Sequence, residues 1–394
     1  MSIRYPAGRI TLSIDPLAVP DAATSVVATA SSSSAASVAF TAPANPGVSA
    51  VTGYSVVQTT GGTVFTGASS PISVTGLSAS TSYTFQVWPA NAAGVGPVAI
   101  SNTVTTSAAV TQKAIFGFGS GPTAITNLVS NTGVVAANTT GVGSARQELA
   151  AAGYGGDKAI FGYGTTGTAT AVTNLVSNTG VVATDTTGVG TARSALAAAG
   201  YGGDKAIFGY GDSGGFTRVS ITNLVSSTGV VAANTTGVGT ARVGLAAAGY
   251  GTDKAIFGFG YDTFYSALTN LVSNTGVVAT DTAGVGTGRY QLAAAGYGTD
   301  KAIFGYGRTG SVQSITNLVS NTGVVAANTT GVGTARNSLA AAGYGADKAI
   351  FGYGDSGGVL SMTNLVSNTG VVATDTAGVG TARSGLAAAG YSST

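Results

Sequence analysis

The chain has 394 residues, of which only 8% are charged and 62 are glycine, and it contains neither cysteine nor histidine. A formal net charge of +2, thinly scattered, gives no footing for nucleic acid or for a charged membrane surface. The missing residue types remove disulfides, the usual nucleophile–base pairs and the commonest metal ligand, so no cofactor, metal or catalytic residue is expected.

No apolar run approaches the roughly 18 residues of a membrane span, so membrane insertion is not expected. The opening MSIRYPAGRITLSIDP lacks the continuous apolar core of a signal peptide. Residues 1–19 mix Arg4, Arg9 and Asp15 with alternating Ile10, Leu12 and Ile14. They read either as a lead-in strand or loose terminus, or as an arm that anchors the chain to a partner.

Residues 20–107 read as short strands at regular spacing with turn signals between them. Strands are predicted at Ser25–Ala30, Ala36–Phe40, Gly53–Thr59, Ile72–Val74, Ser82–Pro89 and Ala99–Thr105. Tyr83, Phe85 and Val87 alternate as the buried face of a sandwich strand would. Pro20, Val38 and Phe40 before Ala42-Pro43, Val51-Thr52-Gly53-Tyr54, Gly76-Leu77, Thr81 to Val87 and Asn91 to Pro97 together resemble a fibronectin type III domain. The resemblance implies a β-sandwich with a tyrosine corner at Tyr83, used as a spacer or interaction module. Residues 108–112 form a very short linker.

From residue 108 to 394 one stretch, KAIFGYG or KAIFGFG, recurs six times, at Lys113, Lys158, Lys205, Lys254, Lys301 and Lys348. Each copy leads into TNLVS, VVAxxT, GVG, an Arg and LAAAGY. A period of 45 to 49 residues signals stacked or radially arranged supersecondary units. Four strands per repeat are expected, namely LAAAGY, KAIFGYG, the TNLVS stretch and VVAxxT, which is the content of one propeller blade. The first copy lacks LAAAGY before it and the last ends on LAAAGY (Leu386–Tyr391). The C-terminal strand should therefore complete the N-terminal blade and hide both edges. The predicted fold is all-β: a fibronectin type III-like sandwich followed by a six-bladed β-propeller of 24 strands. The run from Arg193 through Leu196 to Tyr201, Ala206 to Gly211 and Thr222-Asn223 resembles kelch-type repeats, with Gly-aromatic-Gly in place of Gly-Gly.

All variation in repeat length falls between the Gly-aromatic-Gly and TN, since 31 residues always separate that Asn from the next Lys. The two residues after each repeat Arg also vary. Both sets should emerge at one end of the blades, which makes that end the candidate recognition face. Its candidate ligand-binding side chains are Phe216, Arg218, Tyr261, Asp262, Phe264, Tyr265, Tyr290, Gln291 and Arg308, joined by Asp212 and Asp355. Aromatics give contact area at low entropic cost and Arg, Asp and Gln give directional hydrogen bonds, a mixture suited to a saccharide or a polar protein patch. The uniform Arg146, Arg193, Arg242, Arg289, Arg336 and Arg383 are expected to be structural. VVAxxT alternates between AN and TD forms, a pseudo-threefold that duplication of a two-blade ancestor would explain.

A charge-poor, Gly- and Ala-rich chain joining a fibronectin-like module to near-identical repeats is similar to bacteriophage virion proteins such as fibres, tail appendages and head decorations. That resemblance implies a non-enzymatic protein of the virion, assembled in the host cytoplasm. Residues 1–107 would meet other virion proteins, and the loop face would recognise a host-surface glycan or protein. The alternatives are a purely structural capsid or tail cement protein and a bacterial surface adhesin.

Overall fold

In the computed structural model the described residues are 18–107 and 111–393. The arm expected over residues 1–19 falls outside them except for its last two positions, and so do the first three residues of the linker. The chain divides into two compact units on either side of 108–110, both all-β.

The first unit contains β1 (Thr24–Ala30), β2 (Ala35–Thr41), β3 (Gly53–Gln58), β4 (Phe65–Gly67), β5 (Ile72–Thr75), β6 (Ser82–Tyr83), β7 (Phe85–Asn91), β8 (Gly94–Val95), β9 (Ala99–Ile100) and β10 (Val104–Thr105). One sheet runs β1-β2-β5. The other runs β4-β3-β7-β8, with β9 also on β7, and β10 pairs with β6. Alternation places Val38, Phe40, Tyr54, Val56, Ile72, Val74, Phe85 and Val87 in one apolar core. The Tyr83 hydroxyl oxygen accepts the Ser78 backbone N–H at 2.8 Å, so the corner tyrosine does tie its strand back to nearby backbone. The predicted strands are all present in part. The break at Thr84 splits Ser82–Pro89 in two, and the last predicted strand survives only as its two ends, β9 and β10.

The second unit consists of six three-stranded sheets. Five are local: Ala150–Tyr154, Lys158–Gly162 and Thr173–Val176; Ala197–Tyr201, Lys205–Gly209 and Thr222–Val225; Ala246–Tyr250, Lys254–Gly258 and Thr269–Val272; Ala293–Tyr297, Lys301–Gly305 and Thr316–Val319; Ala340–Tyr344, Lys348–Asp355 and Val359–Val366. The sixth joins the ends of the unit. Its middle strand Thr111–Gly119 pairs with Thr123–Val129 on one side and with Ala387–Ser393 on the other. There Ala114, Ile115 and Phe116 face Gly390, Ala389 and Ala388, the register that Ala159, Ile160 and Phe161 keep with Gly153, Ala152 and Ala151. The C-terminal strand thus takes the place of a missing inner strand, as its sequence requires.

Each apolar core lies between two sheets. Ala150, Ala152, Tyr154, Ile160 and Tyr163 of one sheet pack on Leu196, Ala198, Ala206, Phe208 and Val225 of the next. Six such clusters succeed one another, and one of them joins Ile350 and Tyr353 to Ala114 and Phe116. The final Gly of each middle strand allows this approach. A Cβ on Gly209 would lie 2.7 Å from the Phe257 ring of the next sheet, and one on Gly352 equally close to Phe116.

Backbone hydrogen bonds close the succession at both ends. At one end Gly155, Gly202, Gly251 and Gly298 each donate to the next Asp carbonyl at 2.7 Å. Gly345 then donates to Gln112 O at 2.8 Å, and Ser392 to Asp157 O at 3.0 Å. At the other end Glu148 N donates to Gly385 O, Ala195 to Glu148, Gly244 to Ala195, Gln291 to Gly244, Ser338 to Gln291 and Gly385 to Ser338, all within 2.6–2.9 Å. This second set is a complete circuit of six residues.

The expected fourth strand of each repeat is corrected. VVAxxT follows the outer strand through only two isolated bridges per repeat, such as Val176 with Val182 and Thr173 with Thr186. The six sheets therefore hold eighteen strands among the described residues rather than 24. The physical reason lies in TNLVS. Asn174 Nδ2 donates to the Ala183 carbonyl at 3.0 Å, so a side chain takes the acceptor that a continuing ladder would use.

Candidate functional site

The constant residues of the repeats are occupied by one another. Every repeat Arg is buried and lies over the aromatic ring of the preceding Gly-aromatic-Gly, with its guanidinium carbon 4.3 to 4.8 Å from the centroid. Its Nη2 donates to the Asn of the following TNLVS at 2.5 to 2.8 Å. In five of the six, Nε donates to the carbonyl of the following Gly-aromatic-Gly; Arg193 Nε has no such partner. Arg146 therefore stacks on Phe118 in one sheet while bonding Tyr163 O and Asn174 in the next. Burial lowers the Arg146 and Arg289 guanidinium pKa values to about 10.

The aromatic beneath each Arg is held at positive φ, 65° at Phe118 and 64° at Tyr163, a left-handed backbone rare for bulky side chains. The second Gly of GVG has its own reason. Gly143 has φ +85° and a Cβ there would collide with Asp185, which accepts the Ser144 backbone N–H from the next repeat. The five Asp-Lys pairs sit at the turns between inner and middle strands, with Lys Nζ 2.6 to 2.9 Å from the adjacent carboxylate and both side chains partly exposed. They read as surface charge.

The variable residues gather at the opposite end from these turns. The two variable sets are joined by backbone pairing: Gln147 bridges Thr165, Ser194 bridges Asp212, Val243 bridges Tyr261, Tyr290 bridges Arg308 and Asn337 bridges Asp355. Phe216, Arg218, Tyr261, Tyr265 and Tyr290 meet there, with Asp212 and Val243, around an open cleft of about 360 Å³. The three tyrosine centroids lie 5.6 to 5.8 Å apart, and Tyr265 stacks on Tyr290 at 17°. Arg218 lies over Tyr261 at 5.0 Å and Arg308 over Tyr290 at 6.0 Å. Phe216 is 89% exposed.

Three of the nine sequence candidates stand apart from the cleft. Asp262 is a turn former, its Oδ1 accepting the Phe264 N–H at 2.7 Å and the Thr263 N–H. Phe264 projects from that turn, 77% exposed. Gln291 turns toward the axial circuit, where its Oε1 accepts from Asn337 Nδ2 at 2.7 Å. Asp212 and Asp355 also brace turns through Gly214 and Gly357, although Asp212 lines the cleft as well.

The axial circuit itself escaped sequence reasoning. Glu148, Ala195, Gly244, Gln291, Ser338 and Gly385 all have φ between 51° and 61°. Within them Leu149, Leu196, Leu245, Leu292, Leu339 and Leu386 line a small cavity of about 100 Å³. Glycine at two of these six variable positions was the available signal for a left-handed backbone. A second cavity, of about 320 Å³, continues past the alanines and glycines of the inner strands to the lysine turns. No group of three acidic side chains able to hold a metal ion occurs among the described residues.

Residues 21–107 match the Fibronectin type III domain family, and the N-terminal unit is such a domain. No match to a curated protein was found. Among solved structures the chain is similar to domains A168–A170 of titin, at 27% identity, over 23% of this chain and 32% of that one, with a TM-score of 0.21. The chain thus spans about a third of that structure's length.

Proposed function

We propose that residues 111–394 form a six-bladed β-propeller, kelch-like in plan, that displays its loop end as a recognition face. On this reading the protein is a non-enzymatic bacteriophage virion component, a fibre, tail appendage or head decoration. Residues 1–107 attach it to other virion proteins, and the loop face meets a host-surface glycan. Such a protein assembles in the host cytoplasm and acts on the released particle.

The observation that carries this reading is the division of labour between constant and variable residues. Arg, Asn, Gly-aromatic-Gly and GVG bond sheet to sheet, and the cyclic hydrogen bonds and cores support a closed ring of blades. What varies is confined to one end, where it leaves a solvent-open tyrosine and arginine cleft, the kind of surface that receives a sugar ring on aromatic faces. Many copies on one particle would multiply a weak single contact.

The test is binding of the full-length protein to a glycan array and to intact bacterial cells, beside the variant Tyr261→Ala/Tyr290→Ala. Binding by the native chain that the variant loses supports recognition through this face. Native-like binding by the variant moves recognition away from this cleft, and no binding by either while the chain still incorporates into particles points instead to a cement protein. Display on a bacterial envelope would identify an adhesin.

A further inference from the structure

Resting on the reading of the loop end as a recognition face, we infer that the tyrosine cleft takes an acidic saccharide, with Arg218 receiving its carboxylate, the tyrosines its ring, and Arg308 behind Tyr290 adding positive charge. The inserts carry two cations, Arg218 and Arg308, and both are at this cleft or behind its wall. Arg218 faces Asp212 across an isolated bridge, yet no ion pair forms between them, and the guanidinium leans over Tyr261 instead. Arg308 likewise makes no ion pair among the described residues. Its Nη2 reaches only the Gly310 carbonyl at 3.3 Å, and its Nε is buried without a partner.

The carboxylates of these loops keep their charge, Asp212 within the cleft itself, but none of them forms an ion pair with either guanidinium. Asp212, Asp262 and Asp355 accept backbone N–H groups in their own turns. Two unpaired guanidinium groups therefore flank two packed phenol rings, in the sequence Arg218, Tyr261, Tyr290, Arg308. A planar guanidinium matches a carboxylate through paired N–H donors, and an unpaired buried donor gains most from such an acceptor. The tyrosine faces offer the apolar side of a pyranose ring a flat support. A cleft of about 360 Å³ is of the size that holds a small ligand.

The experiment compares matched pairs on the full-length chain: 3′-sialyllactose against lactose, and polygalacturonate against its methyl ester. The acidic member should bind at least roughly tenfold more tightly, the scale of one charge-assisted contact, and the difference should shrink as salt is raised. Arg218→Gln should remove most of that advantage and Arg308→Gln a smaller part, acting only through its charge, while neutral ligands stay within about twofold. Tyr290→Ala should weaken both members, and Asp355→Asn, in a different loop, should weaken neither. Equal binding of acidic and neutral members, lost in Tyr290→Ala, overturns the acidic inference and leaves the saccharide face standing. Acid-selective binding unchanged in all the arginine and tyrosine variants overturns this cleft as the site. Failure of every acidic probe beside array binding to neutral glycans also overturns the inference, whereas failure on both overturns the recognition face with it. Thermal unfolding of each variant checks that loss is not misfolding, and Tyr290→Phe, which keeps the ring, should retain most of the binding.

Discussion

Arg383 Nη2 donates to Asn127 Oδ1 at 2.8 Å across 256 residues of sequence, joining the last repeat to the first. The same side chain lies over Tyr353 and donates Nε to Phe118 O at 2.7 Å. This is the arrangement that Arg242 makes between adjacent repeats, with Tyr210, Phe259 and Asn270. The terminal junction therefore repeats the internal one except in its carboxylate, for Arg242 also has Asp281 at 3.6 Å whereas the terminal junction carries Asn138 in that place.

Arg383→Ala should therefore cost about as much stability as Arg289→Ala, an internal junction that likewise carries Asn and no carboxylate. Each substitution empties a buried guanidinium site and leaves an Asn oxygen and a carbonyl without their donor, a loss of roughly 3–5 kcal/mol. Urea unfolding of the two variants measures this. A terminal variant close to native stability, beside a crippled internal one, would show that the unit does not depend on the junction of its first and last repeats.

Removal of the C-terminal strand tests the same seam by another route. A chain stopping at Gly385 leaves the strand Thr111–Gly119 with one open edge and uncovers Ile115 and Phe118, which pack beside Ala387, Ala389 and Tyr391. An exposed apolar edge recruits other chains, so the shortened protein should form oligomers in light scattering. A synthetic LAAAGYSST peptide added in trans should restore the native particle size by strand addition.

Much of this was legible in the sequence because the repeat says which residues vary. The inner and middle strands, the complementary ends and the structural arginines follow from patterns present in every copy. The fourth strand was misread because VVAxxT has strand composition, while the interruption comes from the Asn174 side chain, which propensity does not register. Six of the nine candidate side chains gather at the cleft or stand just behind its wall. Gln291 does not, because its left-handed backbone at φ 55° aims it at the axis, and a φ angle leaves no mark in a single copy.

Alkaline stability should be set by the tyrosines of Gly-aromatic-Gly. Burial pushes the Tyr210 and Tyr306 hydroxyls up to about 12, and each donates to a Val carbonyl at 3.1 Å. In the unfolded chain they ionise near 10, so the folded state holds the proton longer. Their contribution is complete below pH about 10 and is lost as pH rises toward about 12. The buried Arg146 and Arg289, lowered to about 10, act with opposite sign in the same range and soften the loss. Phe already occupies this position at 118 and 259, so Tyr210→Phe/Tyr306→Phe should fold. Its stability should fall less steeply between pH 10 and 12, read by denaturant titration at each pH.

Acid stability should follow the alternation of the repeats. Burial raises the pKa of Asp185, Asp281 and Asp375, but hydrogen bonds from Ser144, Thr240 and Thr334 and from the TNLVS Asn outweigh it, with the repeat Arg adding to them, and the net shift is downward. A depressed carboxyl contributes stability above its unfolded pKa of about 3.9 that is lost as pH falls through the folded value. The alternate repeats place Asn138, Asn234 and Asn328 in the same geometry. The Asn234 Oδ1 accepts the Thr191 N–H at 3.1 Å, as Asp281 accepts that of Thr240 at 3.2 Å. The second side-chain atom reverses its role, since Asn234 Nδ2 donates to Thr191 Oγ1 at 2.7 Å whereas Asp281 Oδ2 accepts from Thr240 Oγ1 at 2.6 Å. Rotation of one hydroxyl thus accommodates either residue, so the AN and TD forms of the repeat are interchangeable at this contact. Asp185→Asn/Asp281→Asn/Asp375→Asn should keep the fold at neutral pH, losing under about 1 kcal/mol per site because the carboxylates are partly exposed. The triple variant should also show a smaller fall in stability below pH 4. A variant that still unfolds in acid as the native chain does would place the acid-sensitive groups elsewhere.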